Sequence, residues 1–120
     1  MKRPIVLSTA AVIAAGAVAL PLATASGHRA HAAGGSIRVS GKEFKFTLSR
    51  SSISHGRVTF SFKNTGHLKH DFKIAGHKTR LISPGKSTSL TVSLRKGRYT
   101  YICTVKGHAA AGMKGRLTVR

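Results

Sequence analysis

Residues 57–64 read RVTFSFKN, in which Val58, Phe60 and Phe62 alternate with polar side chains. Successive side chains of a β-strand point to opposite faces, so this period of two places the three apolar side chains together. A helix would need an apolar period near 3.6, which this stretch does not show. The stretch therefore predicts a strand with one face in a core and the other in solvent.

The same alternation recurs on both sides of this strand. Apolar side chains are spaced by two in further segments at 37–39, 44–48, 72–74, 90–94, 99–103 and 117–119. Turn-forming sequences separate them: Ser-Gly-Lys at 40–42, His-Gly at 55–56, Asn-Thr-Gly at 64–66, Pro-Gly at 84–85 and Lys-Gly at 96–97. About seven short strands with regular turns predict an all-β fold, an antiparallel β-sandwich.

The charge of the chain is extreme for its size. Its 120 residues, enough for one domain, carry 21 Lys and Arg against two acids, Glu43 and Asp71, a formal net charge of +19. Such a charge predicts acidic proteins or anionic surfaces as partners. Specific nucleic-acid binding is not expected, because the basic residues are dispersed along every strand and the aromatic ones alternate inward.

The first 35 residues differ in composition from the rest. Lys2 and Arg3 precede an apolar run at 5–22, and small residues follow at 23–25, as in a secretory signal peptide. We expect a signal peptide at 1–25, with a second candidate cleavage site after Ala32. An uncleaved anchor is the alternative, because the run approaches the length that spans a bilayer.

The expected domain organisation follows from this division. Residues 26–35, rich in Gly, Ala and His, would form a flexible leader, and residues 36–120 would form the domain. After cleavage no transmembrane anchor is expected. The mature protein would be secreted or periplasmic.

A second stretch carries the chemistry. Residues 101–115 read YICTVKGHAAAGMKG, with the only cysteine, Cys103, then His108 five residues later and Met113 five residues after that. One cysteine cannot form an intrachain disulfide, and an exposed thiol is readily oxidised outside the cytoplasm. The thiol should therefore be buried, paired with another chain or held as a metal thiolate.

The spacing of these residues allows their side chains to converge on a metal. Cys103 ends a predicted strand, and the glycine-containing loop after it can fold back to bring His108 and Met113 close. His70 begins another predicted strand and can supply a fourth donor. Two imidazoles, a thiolate and a weak axial thioether are the donor set of a type 1 copper site. Taken singly, each residue also has a simpler explanation, as a core filler or a surface loop residue.

Another histidine competes with His70. His67 lies three residues earlier, and the sequence GHLKH at 66–70 could supply either ring. We prefer His70, because it directly precedes the apolar alternation at 72–74.

Parts of the chain resemble a known family, the small blue copper proteins or cupredoxins. The similar stretches are NTGHLKHDF at 64–72, YTYICTVKGHAAAGM at 99–113 and KGRLTV at 114–119. The resemblance covers most of 36–120 and implies a Greek-key sandwich that holds one type 1 copper ion. It also implies His70, Cys103 and His108 as equatorial ligands and Met113 as the axial ligand.

The resemblance extends to residues beside the ligands. Asp71 stands where the family often has Asn; there it would hold the ligand loops together and bond Thr104. Four residues separate Cys103 from His108, as in azurin- or auracyanin-like loops, whereas plastocyanin-like members have two. Lys106 stands where relatives often carry proline.

The function that the resemblance implies is one-electron transfer. The chain shows no carboxylate pair and no Ser/His/Asp set, so an enzyme is not expected. The partner would be an acidic redox protein or an anionic component of the cell surface, and the protein would be a monomer. The alternative is an extracytoplasmic protein that binds or delivers copper without a dedicated role in electron transfer.

Overall fold

The computed structural model describes residues 33–120, so the predicted signal peptide and most of the predicted leader lie outside the described residues. The strands of the described part are β1 (Gly35–Lys42), β2 (Lys45–Leu48), β3 (Ser52–Ile53), β4 (Gly56–Asn64), β5 (Lys73–Ile74), β6 (His77–Lys78), β7 (Ser87–Leu94), β8 (Gly97–Ile102) and β9 (Lys114–Val119). Within residues 33–120, no helix has the length and apolar character that a membrane span requires.

The strands form two sheets that enclose a common core. One sheet has the order β2-β1-β4-β7, and the other has the order β3-β9-β8-β5-β6. The predicted all-β sandwich is confirmed, with nine strands in the described range rather than about seven. The two additional strands, β3 and β6, have only two residues each and are too short to show an alternation in sequence.

Two strand pairs are parallel, which differs from the purely antiparallel pairing that was predicted. β1 runs parallel to β4, and β3 runs parallel to β9. Parallel neighbours need a crossover connection. Here the chain forms β2 in the first sheet and β3 in the second before it returns as β4 beside β1. The other strand pairs are antiparallel.

The core between the sheets is built on the alternation seen in the sequence. Val58, Phe60 and Phe62 of β4 have no exposed surface. The ring of Phe72 packs against Phe60, Phe62 and Tyr101, with ring centroids 5.2, 6.1 and 5.5 Å apart. Full burial of such a side chain contributes about 1.5–3 kcal/mol. Phe72 lies two residues after the first histidine of the predicted metal site, so its anchoring in the core limits where that histidine can lie.

Candidate metal centre

Three donor atoms from the loops after β4 and β8 meet in a buried cluster. Nδ1 of His70 lies 3.1 Å from Nδ1 of His108. Sγ of Cys103 lies 3.9 Å from the His70 nitrogen and 3.6 Å from the His108 nitrogen. A metal held by nitrogen at about 2.0 Å and by sulfur at about 2.3 Å keeps such donors within roughly 4 Å of each other. The cluster meets this condition, and its two imidazoles and thiol suit copper.

A tight loop brings Cys103 and His108 together. The N–H of His108 donates to the carbonyl of Val105 at 2.9 Å, and the N–H of Met113 donates to the carbonyl of His108 at 3.0 Å. Gly107 has a φ of 82°, in the left-handed region that glycine adopts without strain. The N–H of Cys103 donates to the carbonyl of Met113 at 3.1 Å. This bond closes the loop between the end of β8 and the start of β9.

Met113 is part of the same buried region. Its side chain has no exposed surface. A Cβ added to Gly41 of β1 would come within 3.2 Å of the Met113 methyl carbon, so this side chain packs against the β1 backbone. Backbone bonds tie Met113 to both Cys103 and His108. Its predicted role as an axial ligand stays a prediction.

Backbone hydrogen bonds to Ile82 hold His70 in place. His70 and Ile82 form an isolated antiparallel bridge, with N–H to carbonyl distances of 3.2 and 2.9 Å. The buried side chain of Asn64 donates from Nδ2 to the carbonyl of Ile82 at 3.0 Å and to that of Leu68 at 2.8 Å. The end of β4 therefore supports the segment that carries the histidine.

The structure places the two competing histidines in different surroundings. His70 has no exposed surface and contributes to the cluster. The side chain of His67 is 96% exposed and lies outside it. This placement favours His70 as the ligand, in line with the preference drawn from the sequence.

Asp71 links the two segments that carry candidate ligands. One carboxylate oxygen accepts the N–H of Thr104 at 2.6 Å, and the other accepts the hydroxyl of the same residue. Asp71 follows His70 and Thr104 follows Cys103 in the chain. This pair of bonds therefore sets the distance between the two donors, in the manner that the resemblance implied.

Comparison with known families supports a copper site in this chain. Residues 34–120 match the family model described as copper binding proteins, plastocyanin/azurin family. The chain belongs to this family. Membership and the His–Cys–His cluster together identify the cofactor of this cupredoxin as one type 1 copper ion.

Auracyanins are among the proteins to which this cupredoxin is similar. A stretch of 42 residues is 50% identical to auracyanin-B of Chloroflexus aurantiacus, and it spans 34% of this chain but only 18% of that protein. The fold is similar to that of a dithionite-reduced auracyanin from Roseiflexus castenholzii, with a TM-score of 0.61 and 23% identity over 71% of this chain and 96% of that one. It is also similar to auracyanin A of Chloroflexus aurantiacus, described as a "blue" copper protein, with a TM-score of 0.59 and 21% identity over 72% and 100% of the two chains.

Burial sets the protonation of the donors in this cupredoxin. Burial raises the pKa of the Cys103 thiol, so the thiol form is favoured without a metal. Burial, and next the nearby charge of His70, lowers the pKa of His108, which keeps that imidazole neutral. A neutral imidazole can bind a metal directly, whereas the thiol must release its proton when copper binds.

Sequence reasoning missed two contacts to the donor rings. Oε1 of Glu43 lies 2.7 Å from Nε2 of His70, and the ring of Phe44 packs edge-on against His108 with centroids 5.0 Å apart. Both residues belong to the turn between β1 and β2. The scarcity of acidic residues could have drawn attention to Glu43, because this chain has 21 Lys and Arg and only two carboxylate side chains.

We expect His70→Ala to abolish the blue colour and His67→Ala to leave it unchanged. The ring of His70 lies in the donor cluster, whereas the ring of His67 points into solvent. Absorption spectra of both variants after addition of Cu(II) measure the difference. Loss of copper from His67→Ala, with copper retained by His70→Ala, would show that the wrong ring was chosen.

Proposed function

We propose that this cupredoxin is an exported one-electron carrier whose copper is held by His70, Cys103 and His108, with Met113 as the axial ligand. The observation that carries the proposal is the burial of the donor cluster. The three residues that form it are 0%, 1% and 7% exposed. An electron can cross a thin layer of protein, whereas copper delivery by ligand exchange needs an open coordination position. Burial therefore favours electron transfer over delivery.

The bonds around the cluster support the same function. Copper supplies a one-electron couple, and a mixed set of soft and borderline donors suits both of its oxidation states. Asp71 holds Thr104, and Ile82 holds the backbone of His70. Because neighbouring residues fix the donors from several sides, the donors can keep one geometry in both states.

Exposed apolar side chains lie beside the candidate ligands, in contact or in sequence. The large hydrophobic side chains exposed among residues 33–120 are Phe44, Leu68 and Leu81, at 38%, 46% and 50%. Phe44 covers His108, Leu68 lies two residues before His70, and Leu81 precedes the residue that bridges to His70. Interfaces commonly have such an apolar centre within a polar rim. We propose that a redox partner docks here and meets Phe44, whose ring packs against that of His108.

The described part of the chain carries a large excess of positive charge. Of the 21 Lys and Arg, three precede residue 33 and 18 lie in the described part. Its two acids are both turned inward, Glu43 toward His70 and Asp71 toward Thr104. Within the described range the ion pairs found join Glu43 to histidines, and none joins a carboxylate to Lys or Arg. A partner with negative charge, an acidic redox protein or an anionic surface, fits this distribution.

We expect electron exchange to be faster with an acidic redox protein than with a basic one. Electrostatic steering raises association rates by roughly 10- to 1,000-fold and weakens with salt. Electron exchange with the acidic partner should therefore become slower as ionic strength rises, and exchange with the basic partner should become faster. Stopped-flow rates across a salt series measure both trends.

Two controls make this experiment specific. Lys106 lies in the loop that carries the donor cluster, whereas Lys96 precedes β8 at the opposite end of that strand. Lys106→Gln should slow electron exchange with the acidic partner more than Lys96→Gln does, because charges are screened over about 8 Å at physiological salt. Electron-exchange rates that do not change with salt concentration would contradict docking by charge. Loss of copper to a Cu(I) chelator during redox cycling would instead favour delivery.

The proposal of export rests on the sequence. The apolar run and the small residues after it precede the described part of the chain. A thiolate site of this kind is compatible with an oxidising compartment, because burial and the metal protect the cysteine.

A further inference from the structure

The carboxylate of Glu43 joins the β1–β2 turn to the loop that carries His70. Its two oxygens accept the N–H of His67 at 3.0 and 2.9 Å, and Oε1 accepts the N–H of Leu68 at 3.2 Å. Oε1 also lies 2.7 Å from Nε2 of His70. The loop passes so close that a Cβ on Gly66 would lie 2.1 Å from Oε1. Glu43 is thus bonded to the loop at three donors, the N–H groups of His67 and Leu68 and the ring of His70.

These contacts determine which nitrogen of His70 carries hydrogen. Both oxygens of Glu43 already accept backbone N–H groups of the loop. An ionised carboxylate only accepts hydrogen bonds, so Nε2 of His70 must be the donor. With a metal in the cluster, Nδ1 of His70, 3.9 Å from Sγ of Cys103, would present its lone pair to that metal, while Nε2 carries the hydrogen. A metal requires this tautomer.

We propose that Glu43 is a positioning residue of the copper site, which fixes His70 as the Nε2–H tautomer and lowers the reduction potential. This inference rests on the proposed function, in which His70 is a ligand. A carboxylate bonded to a ligating imidazole makes that imidazole a stronger donor. Its negative charge also lies only one ring away from the metal. Both effects stabilise Cu(II) more than Cu(I), so the potential falls.

The surroundings of Glu43 preserve this effect. No Lys or Arg of residues 33–120 pairs with its carboxylate, although the chain is rich in cations. The side chain is only 20% exposed, so water screens the charge less than on an open surface. The other acid, Asp71, bonds Thr104 instead of a donor ring. Glu43 is therefore the carboxylate placed to act through a ligand.

The test is Glu43→Gln, which keeps the length of the side chain and removes its charge. We expect affinity for Cu(II) to fall by about 10- to 100-fold, as for other partners of ligating histidines. Affinity for Cu(I) should fall less. Each tenfold difference between the loss of Cu(II) affinity and the loss of Cu(I) affinity raises the reduction potential by about 59 mV. Titration against a competing chelator and protein-film voltammetry measure the two quantities.

Ser93→Lys is the matched control for this variant. It changes net charge by the same amount at an exposed position of β7, opposite Arg57 and near the end of β4 that lies away from the cluster. The potential of Glu43→Gln should rise well beyond that of Ser93→Lys. Equal shifts would mean that only overall charge matters, and would overturn the proposal.

A second measurement does not depend on copper. The ¹H–¹⁵N spectrum of the His70 ring in the zinc-loaded wild type should show a hydrogen on Nε2, at a resonance that moves in Glu43→Gln. A hydrogen on Nδ1 would overturn the proposal even if the variant did not fold. Failure of the proposed function is a separate result: the wild type would take up Cu(II) without blue colour, while the Nε2–H resonance still reported the bond to Glu43.

Discussion

Replacing Cys103 by serine should remove the visible absorption of the copper form and most of its affinity for copper. In the proposed site the Cys103 thiolate would be the soft donor and the source of charge transfer to Cu(II), and a serine hydroxyl supplies neither. Cys103 is 1% exposed, its Sγ lies within 4 Å of both imidazole nitrogens, and the chain has no other thiol. Absorption and EPR spectra after addition of Cu(II) measure the loss.

Met113→Leu is the control for this experiment. A thioether in the axial position binds weakly and tunes the site, so this variant should keep the colour and show a higher potential. Loss of all copper from Met113→Leu would contradict the axial role. A colourless wild type with an ordinary tetragonal Cu(II) spectrum, or a blue Cys103→Ser, would contradict the ligand set as a whole.

Removing copper should lower the melting temperature by a large amount. In the proposed site the metal would join His70 to Cys103, which lie 33 residues apart in the chain, and these donors come together only in the folded state. Binding to the folded state alone contributes RT ln(1 + [L]/Kd), about 4 kcal/mol at a thousandfold excess over Kd. Each kcal/mol shifts the melting temperature of a domain of this size by about 4–8 °C.

Calorimetry of the apo and copper forms measures this shift. Cys103→Ser is the control, because copper should then change its melting temperature little. Equal melting temperatures of the wild-type apo and copper forms at saturating copper would contradict a site that is created by folding.

The amino-acid sequence by itself determined the fold class and the part of the site that lies in one loop. The alternation of Val58, Phe60 and Phe62 is a local property of the chain, and each is buried in the structure. Cys103 and His108 are close because a short loop with glycine joins them and folds back on itself. Such features are readable because neighbours in sequence are neighbours in space.

Only the tertiary structure decided the contacts between distant segments. The parallel pairing of β1 with β4 depends on the path through β3, whose two residues show no pattern in sequence. The bond from Glu43 to His70 spans 27 residues, and the exposure of His67 against the burial of His70 depends on how that loop meets the β1–β2 turn. Side-chain alternation tells which face of a strand is buried but not which segment covers that face. The contact between the Glu43 carboxylate and the His70 ring therefore could be identified only from the tertiary structure.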